Sequence, residues 1–168
     1  MFENFDFSNF WLNDDTAPEP SDELISEIEK DLGYKLPESY IWLMKKHNGG
    51  MPRNYTIILD EDNKDEFHEC IEITTLYAID KNYDYGIAGE YGTKFIVDEW
   101  GYPDIGVAIC DTPSGGHEMI FLDYRDCGNQ GEPKVSYIDQ ECDYQIITIA
   151  NNFEEFIRKL SPSPYDEL

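Results

Sequence analysis

The sequence predicts a single α+β domain in which a mainly antiparallel, twisted sheet is flanked by N-terminal helices and a C-terminal helix. Two stretches with helical spacing of apolar residues come first, a series of short β-rich runs follows, and another helical stretch comes near the end. No helix-length pattern alternates with the β-rich runs, which argues against a parallel sheet with crossover helices. A chain of 168 residues suits one domain.

The first two helices are predicted at residues 21–32 and 37–47. Ser21 is a typical N-cap residue, and the acidic residues after it suit the positive end of the helix dipole. Gly33 is a common residue just after a helix. Pro37 has a backbone angle that favours a first helical turn.

The central part of the chain, residues 55–149, is predicted to form one largely antiparallel sheet. Its short runs are rich in β-branched and aromatic residues, and Gly-, Asp- and Pro-containing turns separate them. The stretch 81–92 is predicted to be a loop. The predicted strands are residues 55–59, 69–79, 94–100, 105–110, 118–124, 134–138 and 145–149.

A last helix is predicted at residues 153–160, where Asn152 and Glu155 resemble a capping box. The expected layout is an aromatic N-terminal segment and linker at 1–20, the folded domain at 21–160 and an acidic tail at 161–168.

The charge of the chain is its strongest functional signal. Asp and Glu number 36 against 12 Lys and Arg, giving a formal charge of −24. Such a charge repels phosphates, which argues against nucleic acid and anionic membranes as partners, and it attracts basic proteins. Solubility alone is the competing explanation. With 14% aromatic residues, the acidity belongs to a folded body and not to a disordered tail.

The N-terminus lacks both the basic residues and the apolar run of a signal peptide. No run of about 18 apolar residues is present to span a membrane. The cysteines show no C-x-x-C spacing, and a chain of this size does not need disulfides. We therefore expect a cytoplasmic protein with reduced cysteines.

Three segments carry residues typical of chemical sites, and each has a simpler explanation. The 112–116 turn precedes a strand, whereas a phosphate-binding loop precedes a helix. The acidic run 60–66 has Asp65 where a calcium loop requires Gly. The third candidate is a set of histidines and cysteines that matches no metal-ligand spacing: His68, Cys70, Cys110, His117 and Cys127. We therefore predict no catalytic residue, cofactor or metal site.

Two acidic segments are candidates for binding a partner. One is a loop that could dock basic residues, although a solvated loop is the simpler interpretation. The other surrounds a Trp and a Tyr, the residue types in which interfaces concentrate binding energy. The alternative for this second segment is that the Trp closes the core beneath a loop. The candidate residues are Asp60, Glu61 and Asp62 in the first segment, and Asp98, Glu99, Trp100, Tyr102 and Asp104 in the second.

Several short motifs, in order along the chain, resemble the SUKH superfamily of Smi-Knr type. The opening "LP-x-x-Y … NGG" is similar to residues 36–40 and 48–50. The Ser114-Gly115-Gly116 turn, the following strand 119–123 and the turn 131–133 also fit. Residues 149–157 resemble the closing "A-x-S-F-x-x-F" helix, with Asn152 where Ser is commoner.

The resemblance covers residues 21–160 and implies an α+β binding domain from which no catalytic residues are carried over. Bacterial members are mostly immunity proteins that neutralise toxins, often nucleases. It therefore predicts an immunity protein that binds a cognate, basic toxin stoichiometrically. The alternatives are a regulatory or scaffold module of the fungal cell-wall-regulator type, and a hydrolase that uses Cys110 or Cys142.

Overall fold

The computed structural model describes residues 1–166 and has helices packed around antiparallel strands, which confirms the predicted α+β class. A short 3₁₀ turn follows the fifth strand. The elements are α1 Asp22–Leu32, α2 Glu38–Lys46, β1 Thr56–Ile58, β2 Cys70–Glu72, α3 Thr93–Asp98, β3 Gly106–Asp111, β4 Glu118–Asp123, β5 Lys134–Asp139, β6 Gln145–Ala150 and α4 Phe153–Lys159.

The main sheet has the order β3-β4-β5-β6, and every neighbouring pair is antiparallel. Because consecutive strands are neighbours, the β3–β4 turn (residues 112–117) and the β5–β6 turn (residues 140–144) lie at the same end of this sheet. The β4–β5 turn (residues 124–133) lies at the opposite end. The β3–β4 and β5–β6 turns, at one end of the sheet, border the candidate site described below.

The prediction of one sheet was wrong, because β1 and β2 form a separate two-stranded sheet. After β2 the chain leaves β1 and runs between Gly50 and β3. Leu76 exchanges backbone hydrogen bonds with Gly50, while Tyr77 N donates to Ile109 O of β3 at 2.7 Å. The long predicted strand 69–79 is therefore divided between a short strand and isolated bridges.

The predicted strand 94–100 was also wrong, since α3 occupies Thr93–Asp98. Thr93 and Ile96, three residues apart, are both buried, and the Thr93 hydroxyl accepts a hydrogen bond from Ala108 N of β3 at 3.2 Å. One helical face thus packs against the sheet. This tertiary contact overrides the β-propensity of the local sequence.

The terminal helices have the predicted caps. Ser21 accepts a hydrogen bond from Leu24 N at 3.1 Å, and Gly33 adopts a left-handed φ of 83° after α1. Asn152 accepts one from Glu155 N at 2.8 Å at the start of α4. Phe156 of α4 is fully buried in the core between the helices and the sheets.

The aromatic N-terminal segment packs onto the helices. The Phe2 ring lies 5.3 Å from that of Trp42 on α2, and Phe2 N donates a 2.8 Å hydrogen bond to Glu154 on α4. At the other terminus, Asp166 accepts a hydrogen bond from Tyr55, and residues 167–168 of the predicted acidic tail lie outside the described residues. Within residues 1–166, no helix has the length and apolar character needed to cross a bilayer.

Candidate functional site

Trp100 lies just after α3 and is held in a fixed position at the turn end of the main sheet. Its ring packs edge-on against Phe95, with ring centroids 5.1 Å apart, and its carbonyl accepts a 2.6 Å hydrogen bond from Tyr144 Oη in the β5–β6 turn. Trp100 nevertheless remains 37% exposed. An ordered, partly exposed Trp of this kind can serve as an interface anchor.

Trp100 forms one wall of an open cavity of about 390 Å³, which we term the Trp100 pocket. Its volume lies at the lower end of the roughly 300–1,000 Å³ found for ligand sites. Tyr85 and Tyr91 at its rim are 45% and 48% exposed. The remaining lining is mainly aromatic or acidic, with glycine backbone from the β3–β4 turn: Tyr77, Asp84, Phe95, Asp111, Gly115, Gly116 and Met119.

Asp84 and Asp111 give the pocket a negative charge, and the described part of the chain contributes no basic residue to its lining. Burial raises the pKa of Asp111, and hydrogen bonds from Thr75 offset this only partly. The backbone bond from Thr75 N to Asp111 Oδ1 is 2.8 Å long. Among residues 1–166, neither Asp84 nor Asp111 forms a salt bridge. A cation entering the pocket would meet two carboxylates without an ion-pair partner.

The segment from Asp98 to Asp104 is spread along the sheet and does not form one patch. Asp98 and Glu99 are exposed beside Trp100. Tyr102 is only 2% exposed, and its hydroxyl donates a 2.6 Å hydrogen bond to Gly116 O, so its side chain supports the β3–β4 turn from inside. Asp104 lies just before β3, at the opposite end of the sheet, where it accepts a hydrogen bond from the Tyr34 hydroxyl.

In the acidic loop (residues 60–66), Asp60, Glu61 and Asp62 are exposed. The C-terminal end of this loop is held in place by hydrogen bonds to His68. His68 lies between two carboxylates, with Nδ1 2.8 Å from Asp65 Oδ1 and Nε2 2.9 Å from Asp139 Oδ2. Asp139 ends β5 and caps the β5–β6 turn, which also carries the tyrosine that contacts Trp100. The acidic loop and the Trp100 pocket are therefore attached to the same end of the sheet.

His68 also belongs to a group with metal-ligand chemistry that the sequence spacing did not reveal. Ligand atoms of His68, Asp139 and Cys142 all lie within 4.8 Å of one another. Burial lowers the pKa of His68, but hydrogen bonds to Asp65 and Asp139 outweigh burial and raise it overall. Both ring nitrogens of His68 already lie within hydrogen-bond distance of a carboxylate, so a metal could bind the ring only by displacing one of these contacts. This geometry favours an ion-paired clamp over a metal centre.

The cysteines proposed for a hydrolase show no sign of activation. Burial, with a smaller contribution from Asp111, raises the pKa of Cys110 well above its usual value. A hydrogen bond to Asp139 and burial raise the pKa of Cys142. Since the thiolate is the nucleophile, both changes reduce reactivity at neutral pH.

Of the residues that line the Trp100 pocket, only Trp100 was predicted from the sequence as a binding residue. Tyr85 and Tyr91 lie in the predicted loop 81–92, and Asp111 ends β3. The available signal was the concentration of tyrosines in that loop, at positions 83, 85 and 91. Nothing in their spacing indicates that they meet Trp100.

Comparison with known families agrees with the fold. A family model described as SMI1-KNR4 cell-wall, of the SUKH group, matches residues 22–157. The chain therefore belongs to this SUKH family, whose domains are of the immunity-protein type. A search of curated proteins returned no match.

Proposed function

We propose that this protein is a cytoplasmic, non-catalytic immunity protein that neutralises a cognate basic toxin domain by stoichiometric binding. The observation that carries the proposal is the placement of the Trp100 pocket and the acidic loop at one end of the sheet. This end combines aromatic anchors with exposed carboxylates. Membership of the SUKH family supports a protein partner.

A nuclease is the toxin class that the charge fits best. Nuclease domains present positive charge to phosphates, and a chain with a formal charge of −24 is complementary to such a surface. Asp60, Glu61 and Asp62 would meet rim lysines and arginines of the toxin. Trp100 would supply the more buried contact at the centre of the interface.

The second candidate is a regulatory or scaffold module that binds a cellular partner and no toxin. The description of the matched family by its cell-wall members favours this alternative. The two functions differ in their partner, and both require a binding surface without catalysis.

Co-expression with the protein encoded beside this gene tests the proposal. We expect the neighbouring protein to arrest growth and co-expression of this chain to restore it, with the two proteins co-purifying at equal stoichiometry. Trp100→Ala should weaken the complex by at least about 2 kcal/mol if Trp100 is an anchor. A non-toxic neighbour, or a toxic one that neither binds nor is neutralised, would favour the scaffold function.

A further inference from the structure

The Trp100 pocket combines two features that select a cation over a neutral or anionic group. Aromatic faces attract cations through the ring quadrupole, and carboxylates add direct charge attraction. Among residues 1–166, the lining of this pocket includes Asp84 and Asp111 and no Lys or Arg. We propose that the Trp100 pocket receives an arginine side chain of the partner protein, an inference that rests on the proposed function.

The arrangement of the rings suits a flat cation. Tyr91 packs edge-on against Phe95, which in turn packs edge-on against Trp100, with centroid distances of 5.3 and 5.1 Å. Tyr77 and Tyr85, which also line the pocket, form a tilted pair with ring centroids 6.0 Å apart. The lining therefore contains aromatic rings in several orientations. A guanidinium can stack on the face of such a ring, whereas an ammonium is compact and strongly hydrated.

Asp111 lines the pocket and is the carboxylate that would pair with that guanidinium. The hydrogen bond from Thr75 N fixes Oδ1, and the residue lies at the end of β3 where the backbone is held by the sheet. A positioned carboxylate can accept two parallel N–H donors from arginine. An ion pair with the guanidinium would also offset the cost of burying the Asp111 carboxylate, since burial disfavours its charged form.

The charge around the pocket argues against the other common occupants of an aromatic cavity. A nucleotide could stack on the rings, but its phosphates would be repelled by Asp84 and Asp111 and by the formal charge of −24. A purely apolar side chain would desolvate Asp111 without supplying a counter-charge.

The test uses N-acetyl-arginine amide as the probe and N-acetyl-citrulline amide as its neutral counterpart, added to the ¹⁵N-labelled full chain at constant ionic strength. The indole N–H of Trp100 reports on the pocket, and those of Trp11 and Trp42 are internal controls. We expect saturable shifts at Trp100 with arginine and about twofold to thirtyfold weaker binding of citrulline, the range equivalent to a cation–π contact. Asp111→Asn should remove most of this preference.

Three outcomes would overturn the inference: no change at Trp100, equal binding of citrulline, or equal binding of N-acetyl-lysine amide. The probe experiment needs no toxin, so its failure is distinct from failure of the proposed function. Restored growth without an arginine response would support the immunity function and refute the assignment of the Trp100 pocket as an arginine site. An arginine response together with a neighbouring protein that is not toxic would support the pocket and contradict the immunity function.

Discussion

The backbone of Gly116 lies directly against the ring of Trp100. A Cβ atom at residue 116 would lie 2.8 Å from the Cη2 and Cζ3 atoms of that ring, whereas one at Gly115 would meet nothing within 4 Å. Both glycines have positive φ, at 101° and 71°. The β3–β4 turn thus sets the position of Trp100 through the absence of a side chain at one residue.

Gly116→Ala should displace the Trp100 ring and weaken partner binding more than Gly115→Ala does. Each substitution places Ala at positive φ, which costs about 1–3 kcal/mol. The clash with Trp100 adds to this cost only at residue 116. Urea unfolding and the indole N–H signal of Trp100 measure the two effects. Identical behaviour of the two variants would contradict the proposed contact.

The His68 clamp should make stability depend on pH. The pKa of His68 is raised overall, so its contribution is fully present below about pH 6.5, its ordinary pKa, and is lost as pH rises through the folded-state value. Hydrogen bonds from His68 and nearby backbone lower the pKa of Asp65. Burial raises the pKa of Asp139, but hydrogen bonds from His68, Cys142 and the backbone of the turn together lower it overall. The carboxylate contribution is therefore lost as pH falls below about 4.

We expect His68→Gln to lose more stability at about pH 5.5 than at about pH 8.5, because only the protonated imidazole pairs with both carboxylates. His117→Gln is the matched control, since His117 also lies beside a carboxylate, that of Glu141, but both side chains are exposed, at 56% and 68%. An exposed pair of this kind contributes little to stability. The measurement is the free energy of unfolding in urea across this pH range. If the difference in free energy of unfolding between wild type and His68→Gln does not change with pH, protonation of His68 does not contribute to stability.

Phe156 should contribute to stability and not to binding. It is 0% exposed in the core, and its truncation to Ala should cost about 3–5 kcal/mol. Phe67 is 74% exposed, and Phe67→Ala should change stability by no more than about 0.5 kcal/mol. Chemical denaturation of both variants provides the comparison. Wild-type stability in Phe156→Ala would contradict the assignment of the closing motif to the core.

The sequence predicted those elements whose signals are local. The caps at Ser21 and Asn152 are formed by residues three apart, and both are present in the structure. Residues 94–100 were assigned to a strand because they are rich in β-formers. Burial of Ile96 beneath the sheet determined the helix instead, and local composition contains no information on that contact.

The site was less predictable because its contacts join distant parts of the chain. His68 and Asp139 are 71 residues apart, and Trp100 and Tyr144 are 44 apart. Each residue is unremarkable within its own segment. Exposure of Trp100 could be proposed from its acidic surroundings, whereas its proximity to Tyr85 follows only from the path of the loop over the sheet.

Association with the partner should be electrostatically steered, with a local contribution from the acidic loop. Charges more than about 10 Å apart are largely screened at 0.1 M salt, so higher ionic strength should slow association much more than it changes dissociation. Stopped-flow or surface-based kinetics at several salt concentrations measures both rates.

Charge reversal distinguishes local contact from the total charge. Changing Asp60, Glu61 and Asp62 to Lys should weaken binding well beyond the same change at Asp14, Asp15 and Glu19, which are also exposed. Both triple variants alter the net charge equally, so the long-range attraction falls by the same amount in each. The additional loss in the loop variant then reports contacts that the acidic loop itself makes with the partner. If both variants bind alike, the loop acts only through the total charge. If association is also indifferent to salt, the acidity serves solubility and the electrostatic support for a nuclease partner is removed.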